Sequence, residues 1–465
     1  MAPKFGTSGL RGLVTELTSD LVSDYTNAFL LACETNGTVR VGWDLRPSSP
    51  DIADAVITAI SQAGQTAIVD GPLPTPALAL ASLSAGQAAI MITGSHIPAD
   101  RNGLKFYTTK GEISKEDETS ILLHLTALEG PAVEATAKID GGQDAIAAYV
   151  ARYTSAFGTA ALTGLRVGVY QHSSVARDVM VDVVTALGGT AVPIARSDEF
   201  IPVDTEAVDP ETSSLFAGWC GDHSLDVLIS TDGDADRPMV VDRNSNIVPG
   251  DVLGAITSKM LGADILCTPV SSNTMIKQMD DFETIHLTRI GSPFVIAAME
   301  DCLAADSSAK VVGYEANGGF LLGFEAVTPS GRLAPLMTRD CLLPILAPLS
   351  LAQASGTTLD ALVADLPARF TAADRLTGIA PDASKAFLTG LIESPSARAA
   401  FFAEVGAETD SDTTDGLRVS FESGDVVHLR PSGNAPEFRC YVEADTAQRA
   451  QELLGVHLEK LRTTL

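Results

Sequence analysis

A short apolar run followed by a polar segment organises this chain: residues 88–107 read AAIMITGSHIPADRNGLKFY. The run Ala88–Ile92 is typical of a strand that is buried on both faces, as in parallel sheets. The segment after it, which we predict to be a loop, carries a hydroxyl, an imidazole, an Arg and a Lys. Because ligands collect beyond the carboxyl ends of strands in open α/β sheets, we interpret Ser95 as a candidate nucleophile at the floor of a cleft.

The bulk composition excludes several classes of protein. The chain has 465 residues, which predicts three or four domains of about 100–150 residues each. Its net charge of −28 argues against nucleic acid and anionic membrane surfaces as partners. Its six cysteines include no CxxC pair, a pattern typical of reduced thiols in a cytoplasmic protein. Since we find neither a signal peptide nor a bilayer-spanning apolar run, we expect a soluble, intracellular protein.

Strand and helix patterns alternate along most of the chain and predict mixed α/β layers. Within this alternation we expect one helix to end near Met279. The last part differs, because three short apolar segments after residue 416 are predicted to be antiparallel strands followed by a helix over about Ala447–Leu461. The acidic stretch Asp410–Asp415 is predicted to be a solvated loop.

A second buried strand, Asp226–Thr231, leads directly into the hexapeptide DGDADR at residues 232–237. Three carboxylates alternate over five residues, which makes a compact all-oxygen site for a hard divalent cation. A calcium-binding EF-hand fits poorly, since its ligand register would place Arg243 where the bidentate Glu belongs. A magnesium site fits better. The alternative interpretation is an Asp-rich solvated turn.

Two further segments suit an anionic, hydroxylated ligand. The N-terminal segment KFGTSGLRG at residues 4–12 combines glycines, which allow close backbone approach, with the guanidinium of Arg11. The segment YEANGG at residues 314–319 places Glu315 and Asn317 in a glycine turn, where an acid and an amide can bind adjacent hydroxyls of a sugar. Taken alone, each segment is also typical of an ordinary turn.

A last polar segment lies between two predicted antiparallel strands and reads RPSGNAPEFR at residues 430–439. Ser, Gly and Asn in a turn can point successive backbone N–H groups at a phosphate, and Arg430 or Arg439 can clamp it. An ordinary hairpin is the alternative interpretation of this segment.

In combination these segments resemble the α-D-phosphohexomutase family, in particular its bacterial phosphomannomutase/phosphoglucomutase branch, over essentially the whole chain. The motifs that carry the resemblance are FGTSGLRG, TGSHIPADRNGLKFY, DGDADR, YEANGG and RPSGNAPEFRCYVEA. The resemblance implies an α/β fold with three related mixed α/β domains and a C-terminal α+β domain around a central cleft. We expect the domains to cover residues 1–152, 153–250, 251–366 and 367–465.

The resemblance also implies a Mg²⁺-dependent phosphoserine mechanism. Mannose 6-phosphate and mannose 1-phosphate would be interconverted, with a hexose 1,6-bisphosphate as intermediate and activator. Alternatives are phosphoglucomutase, with single or dual specificity, and phosphoglucosamine mutase. The protein would be a monomer or a homodimer.

Site residues follow from the same resemblance, motif by motif. Ser95 would carry the phosphoryl group, with Arg11 beside it and either Lys105 or His96 as general base. The expected metal ligands are Ser95, Asp232, Asp234 and Asp236. The residues expected to bind the sugar or its phosphate are Arg237, Glu315, Asn317, Arg430, Ser432, Gly433, Asn434 and Arg439.

The chain departs from the family pattern at three places. Ile97 stands where the family's serine loop usually has Asn, and Gly319 stands where its sugar loop usually has His. The segment 288–293 lacks a basic residue that many relatives carry two positions after its Gly. These departures leave the choice of substrate open.

Proteins of other classes share single features with this chain. A serine hydrolase would explain a nucleophilic Ser95, but the GxSxG pattern is absent around it and the Asp triplet would have no role. A metal-dependent phosphatase could use Asp232 as its nucleophile. A non-enzymatic sugar-phosphate or calcium-binding module would show no turnover.

Overall fold

Four successive units of the chain each build their own sheet. The computed structural model describes residues 3–6, 8–126, 138–432 and 436–465. The first three sheets combine parallel strand pairs with antiparallel ones, whereas the last sheet is antiparallel throughout. The predicted fold class, three mixed α/β domains followed by an α+β domain, is therefore confirmed.

The first unit carries the Ser95 segment between its fifth and sixth strands. Its sheet has the order β1-β2-β6-β5-β3-β4-β8, with β7 paired to β6. The elements are β1 (Lys4–Phe5), β2 (Leu10–Leu13), α1 (Ser19–Ala32), β3 (Thr38–Trp43), α2 (Ser49–Gln62), β4 (Thr66–Pro72), α3 (Thr75–Ser84), β5 (Ala88–Ile92), β6 (Arg101–Thr108), β7 (Gly111–Glu112), α4 (Lys115–Leu125), β8 (Lys138–Asp140) and the connecting helix α5 (Asp144–Phe157).

The polar loop after β5 is shorter than we predicted. The next strand, β6, begins at Arg101. It runs antiparallel to β5 and places Lys105 opposite Met91. The amide nitrogen of Asn102 donates to two serine hydroxyls at the start of α2, over 2.9 and 3.0 Å. Asp, Asn and Gly favour turns locally, but these tertiary contacts override that preference. Lys105 therefore lies on a strand, not in a loop as predicted.

The second unit presents its Asp-rich loop at the end of a fully buried strand. Its sheet has the order β10-β9-β11-β12-β13. The elements are β9 (Arg166–His172), α6 (Arg177–Ala186), β10 (Thr190–Arg196), α7 (Pro210–Asp222), β11 (Val227–Thr231), β12 (Pro238–Asp242) and β13 (Ile247–Val248).

The third unit repeats that strand order, as β15-β14-β16-β17-β20, with β18 and β19 as a separate hairpin. The helix expected to end near Met279 is a short 3-10 helix over Thr274–Gln278. The other elements are α8 (Gly250–Leu261), β14 (Ile265–Pro269), β15 (Thr284–Thr288), α9 (Ser292–Ala305), β16 (Val311–Tyr314), β17 (Phe320–Leu322), β18 (Ala326–Val327), β19 (Arg332–Leu333), β20 (Leu336–Asp340), α10 (Leu342–Ala354) and α11 (Leu359–Ala364).

The fourth unit is an antiparallel sheet of order β21-β25-β24-β23-β22. Its elements are β21 (Phe370–Thr377), α12 (Pro381–Glu393), α13 (Pro395–Phe401), β22 (Glu408–Asp412), β23 (Leu417–Phe421), β24 (Val426–Pro431), β25 (Glu437–Ala444) and α14 (Ala447–Thr464).

The acidic stretch in this unit is not the solvated loop that we predicted. Residues 410–412 belong to β22, an edge strand paired with β23, a position where charged side chains prevent pairing with other chains. The carboxylate of Asp415 accepts hydrogen bonds from Arg430 Nε and from the backbone N–H of Ile290, both over 2.9 Å. Asp415 therefore joins the fourth unit to the third.

One apolar cluster runs through the first three units. It includes Leu78 of α3, Tyr153 of α5, Val183 of α6 and Leu253 of α8. Because this core is continuous, burial does not divide the chain, and the domain boundaries given above stay predictions. Within the described residues, no helix has both the length and the apolar character that crossing a bilayer requires.

Candidate active site

Ser95 lies just beyond the carboxyl end of β5, in a tightly held turn. Its backbone is in the left-handed region, with φ of 54°, and only 4% of the residue is exposed. Its Oγ donates to Oδ2 of Asp232 over 2.5 Å, and Nδ1 of His96 lies 3.4 Å from the same Oγ. A non-glycine residue with positive φ is costly, so the surroundings must hold this conformation.

Arg46 supplies that support, and sequence reasoning gave it no role. Its guanidinium donates to four backbone carbonyls of the Ser95 loop, at residues 95, 97, 98 and 101, over 2.5–2.9 Å. The side chain is fully buried and lies over the ring of Phe200 at 4.2 Å from its centroid. One buried cation thus fixes the path of the whole loop.

Asp44 holds Arg46 and the loop together. Its carboxylate receives Arg46 Nε over 3.1 Å and the Thr93 hydroxyl over 2.7 Å. That Thr93 hydroxyl in turn accepts the Ser95 N–H over 2.7 Å. A buried ion pair with satisfied hydrogen bonds is costly to break, because the loss of either partner leaves an uncompensated buried charge. Both residues follow β3 directly in the chain, and no local sequence pattern reveals their contact.

The three aspartates of the second unit converge beside Ser95. Asp232, Asp234 and Asp236 are buried, and one carboxylate oxygen from each lies within 4.8 Å of the others. Oδ1 of Asp234 and Oδ1 of Asp236 are buried and have no hydrogen-bond partner in the described part of the chain. Clustered hard oxygens with unused acceptor capacity fit a small divalent cation such as Mg²⁺.

Two cations from other units lie against these aspartates. Nζ of Lys105, on β6, is 2.6 Å from Asp234 Oδ2 and 2.5 Å from Asp236 Oδ2. Nη2 of Arg339, on β20, is 2.8 Å from Asp236 Oδ2. The triad therefore joins the first three units through buried ion pairs.

The surroundings of Asp232 and Asp234 shift the pKa values of their carboxyls in opposite directions. Burial raises the pKa of Asp232 well above its usual range, and the charges of Asp234 and Asp236 add to this. Burial also acts to raise the pKa of Asp234, but Lys105 and the hydroxyl of Thr75, which donates over 2.6 Å, outweigh it and lower the pKa. Asp234 is thus held ionised, whereas Asp232 gains a proton more readily.

His96 and Arg11 complete the surroundings of Ser95. Burial lowers the pKa of His96 to about 3, helped by the charge of Arg237, so the imidazole is neutral at pH 7. Burial lowers the pKa of Arg11 to about 10, and its Nη1 donates to the carbonyl of Thr93. Nε of Arg237 lies 3.9 Å from Asp232 and 3.8 Å from Asp236. The structure thus gathers these predicted residues into one cluster.

Arg339 contacts one of the two candidate residues on the sugar loop, which is the segment 314–319. Glu315 is buried, and its Oε2 lies 3.4 Å from Nη1 of Arg339. The amide oxygen of Asn317 accepts the backbone N–H of Gly319 over 3.0 Å, so it stabilises its own turn. Arg339 was missed because β20 was not predicted, and no local pattern marks it.

The C-terminal candidates lie on β24, β25 and the turn between them. Arg430 pairs with Asp415 over 2.9 Å, and Arg439 lies 3.4 Å from Glu437. The N–H of Ser432 donates to the carbonyl of Glu437 over 2.9 Å. The two other predicted residues of this turn, Gly433 and Asn434, lie outside the described residues.

A cavity of about 390 Å³ opens between the second, third and fourth units. Its lining includes His96, Ala316 and Arg439, and therefore combines the serine loop, the sugar loop and the C-terminal strand pair. The volume suits a small organic ligand. The predicted central cleft is thus present, with Ser95 next to one of its walls.

Comparison with models of protein families shows which family this chain belongs to. Four models described as phosphoglucomutase/phosphomannomutase match the chain: alpha/beta/alpha domain I at residues 2–130, domain II at 147–246, domain III at 249–370 and the C-terminal domain at 382–455. The chain belongs to this family. It is therefore an enzyme, an isomerase of the phosphohexomutase class, as the combined motifs predicted.

Individual relatives of this phosphohexomutase span its whole length. A phosphomannomutase of Sinorhizobium fredii is 42% identical and covers 100% of both chains, and one of Salmonella muenchen is 40% identical over 99% of this chain and 96% of its own. A probable phosphoglucosamine mutase of Methanothermobacter thermautotrophicus is 27% identical over 96% and 95%. The crystal structure of a putative phosphomannomutase from Thermus thermophilus has the same fold, with a TM-score of 0.76, 20% identity and coverage of 100% and 99%.

Proposed function

We propose that this phosphohexomutase interconverts mannose 6-phosphate and mannose 1-phosphate, with Ser95 as the phosphoryl carrier. The observation that carries the proposal is the 2.5 Å contact between Ser95 Oγ and Asp232, which places a hydroxyl against a cluster of three buried carboxylates. The identity to relatives named phosphomannomutase, 42% and 40%, supports mannose over glucosamine, whose relative is 27% identical.

The chemistry consists of two phosphoryl transfers through Ser95. In the first, the bond between phosphorus and Ser95 Oγ breaks while phosphorus bonds to the free hydroxyl oxygen of the hexose monophosphate. The hydroxyl proton is taken up by a base and returned to Oγ. The resulting hexose 1,6-bisphosphate turns over in the cleft. Ser95 Oγ then bonds to its other phosphorus while the bond from that phosphorus to the sugar oxygen breaks, and the Oγ proton passes to that oxygen. Since the serine ends as it began, the net reaction is an isomerisation.

Ser95, Asp232, Asp234 and Asp236 are the residues that would hold Mg²⁺. Once bound, the cation supplies neutralisation of the charge that develops on the transferring phosphoryl oxygens. Lys105 can neutralise Asp234 and Asp236 and keep the loop folded around Ser95.

The general base is His96 or Lys105. His96 is neutral at pH 7, because its pKa is lowered to about 3, and its Nδ1 is 3.4 Å from Ser95 Oγ. Lys105 Nζ donates to two carboxylates and here acts as a cation. The variants His96→Gln and Lys105→Met distinguish them: loss of the base lowers kcat and removes one limb of the pH–rate profile.

Substrate binding is assigned to both sides of the cleft. Glu315 and Asn317 would bind sugar hydroxyls, and Arg237 would face the phosphosugar from the metal loop. The phosphate that is not being transferred would be held by Arg430, Ser432, Gly433, Asn434 and Arg439. Arg11 would bind the transferring phosphoryl group next to Ser95. Since the chain carries a net charge of −28, these local cations must hold an anionic ligand against the overall field.

Phosphoglucomutase activity is the second candidate, because the matching family models carry both names. Parallel assays on mannose 1-phosphate, glucose 1-phosphate and glucosamine 1-phosphate test the choice, with glucose 1,6-bisphosphate as activator and Mg²⁺ present. We expect the highest kcat/KM with mannose 1-phosphate. A higher value with glucose 1-phosphate would overturn the assignment.

We also propose that the protein is a cytoplasmic monomer or homodimer, without nucleic-acid or membrane partners.

A further inference from the structure

Arg339 occupies a position between the metal loop and the sugar loop. Its side chain is 6% exposed, and its two terminal nitrogens divide between units: Nη2 is 2.8 Å from Asp236 Oδ2, and Nη1 is 3.4 Å from Glu315 Oε2. The guanidinium therefore spans the distance between a proposed metal ligand and a proposed sugar ligand. Its planar fork can contact two carboxylates at once, which an ammonium on a flexible stem does less well.

Space for this side chain depends on Gly319. A Cβ added to Gly319 would lie 2.8 Å from both Cγ and Cδ of Arg339 and 3.1 Å from its Cβ. At this position the family pattern usually has His, as noted above. The aliphatic stem of Arg339 therefore fills the space that any side chain at residue 319 would need.

Arg339 is surrounded by charged side chains, and its Nε is unpaired within the described part of the chain. Asp236, Glu315 and Glu112 favour its cationic form, and Arg237 lies close enough to repel it. Its Nε is buried and has no hydrogen-bond partner among the described residues. A buried guanidinium with an unused N–H needs a further acceptor to be fully satisfied.

We propose that Arg339 is a positioning residue for the sugar, which acts through the Glu315 carboxylate. It holds the Glu315 carboxylate toward the hydroxyls of the substrate and keeps that carboxylate in register with the Asp236 loop. This inference rests on the proposed function, since it assigns Glu315 to the sugar. It predicts that Arg339 acts on substrate binding more than on the phosphoryl transfer itself.

The variants Arg339→Met and Arg339→Lys test the proposal, with Arg332→Met as matched control, because Arg332 pairs with Glu325 on the exposed face of the same unit. KM and kcat are measured with mannose 1-phosphate, and binding of mannose 1-phosphate by calorimetry. We expect both Arg339 variants to raise KM and the dissociation constant by about tenfold or more, with kcat changed by less than about threefold. The control should leave all three values unchanged.

A double variant tests the link to Gly319. Gly319→His alone should raise KM, because the new side chain displaces the stem of Arg339. Combined with Arg339→Ala, the same substitution should raise KM no further, since the stem that it displaces is then absent. If Arg339→Met is unfolded, Gly319→Ala, which adds one methyl group against the stem, gives the same comparison. An unchanged KM in a folded Arg339→Met or Gly319→Ala variant would overturn the proposal.

Failure of the proposed function gives a different result. If the wild-type enzyme turns over glucose 1-phosphate and not mannose 1-phosphate, the mannose assignment is wrong. The same variants are then compared on glucose 1-phosphate, where a raised KM still supports Arg339 as a positioning residue. An unchanged KM there contradicts the role of Arg339 independently of which hexose is preferred.

Discussion

Ser95 and Asp232 lie 137 positions apart in the chain, yet Oγ of the first donates to Oδ2 of the second over 2.5 Å. The contact joins the turn after β5 in the first unit to the loop after β11 in the second. Both residues follow fully buried strands. This meeting of two strand ends brings the proposed phosphoryl carrier to the proposed metal ligands.

Replacing Ser95 with Ala should abolish turnover while the protein stays folded. In the proposed mechanism the Oγ accepts and donates the phosphoryl group, so we expect kcat to fall by at least ~10³-fold. Ser82→Ala is the matched control, since Ser82 is a buried serine of α3 whose hydroxyl only donates to the carbonyl of Ala79. Steady-state assays and circular dichroism give the comparison. A Ser95→Ala enzyme with wild-type kcat would contradict the mechanism.

Removal of divalent metal should silence the enzyme reversibly. Charge neutralisation by a metal is worth several kcal/mol, so excess chelator should lower kcat by about 10²-fold or more, and added Mg²⁺ should restore it. Asp236→Asn should weaken the Mg²⁺ response, measured as the metal concentration for half-maximal activity. Asp242→Asn is the control, because that carboxylate accepts N–H groups of its own turn. Full activity in excess chelator would contradict the assignment of the three aspartates as metal ligands.

Arg46 should be needed for activity beyond its effect on stability. Arg46→Met leaves Asp44 buried without its partner, which we expect to cost about 3–5 kcal/mol of unfolding free energy. Displacement of the Ser95 loop should also lower kcat of the folded protein by about 10²-fold. Arg40→Met breaks another ion pair of the same sheet, with Asp70, and should lose stability but keep kcat. Equal kcat in both variants would contradict the positioning role of Arg46.

Arg46 also illustrates what the sequence could not predict. The Asp triplet and Ser95 could be proposed from the sequence because each is a local pattern of contiguous residues after a buried strand. Arg46 acts on carbonyls 49 positions or more away in the chain, and Arg339 acts on another unit, so no spacing rule identifies their partners. Lys105 was placed in a loop because its neighbours favour turns, and Asp415 was expected in solvent because charge alone does not reveal an acceptor for two distant donors.

Stability should fall as pH rises from about 4 to 7 because of Asp251. Burial raises its pKa from 3.8 to about 7, although its Oδ2 accepts the Asn273 N–H over 2.8 Å. Between these values the folded protein binds a proton that the unfolded chain has released. The carboxyl therefore favours folding less and less as pH rises through this interval, and its penalty is complete above pH 7.

Asp251→Asn should remove that pH dependence, because the amide oxygen keeps the hydrogen bond and carries no charge. At pH 8 we expect the variant to be more stable than the wild type by about 1–4 kcal/mol, and equal to it at pH 4. Asp198→Asn is the control, since that side chain is 97% exposed. Urea unfolding at four pH values between 4 and 8 provides the measurement. Parallel pH curves for Asp251→Asn and wild type would contradict the assignment.

The most direct test of the central claim is to follow the phosphoryl group itself. The enzyme is incubated with glucose 1,6-bisphosphate and Mg²⁺, and the peptide that contains Ser95 is analysed by mass spectrometry before and after a chase with mannose 1-phosphate. The account predicts one phosphoryl group on Ser95 before the chase and its transfer to the sugar, as bisphosphate, afterwards. A phosphoryl group on another residue, or its release as inorganic phosphate without any bisphosphate, would contradict it.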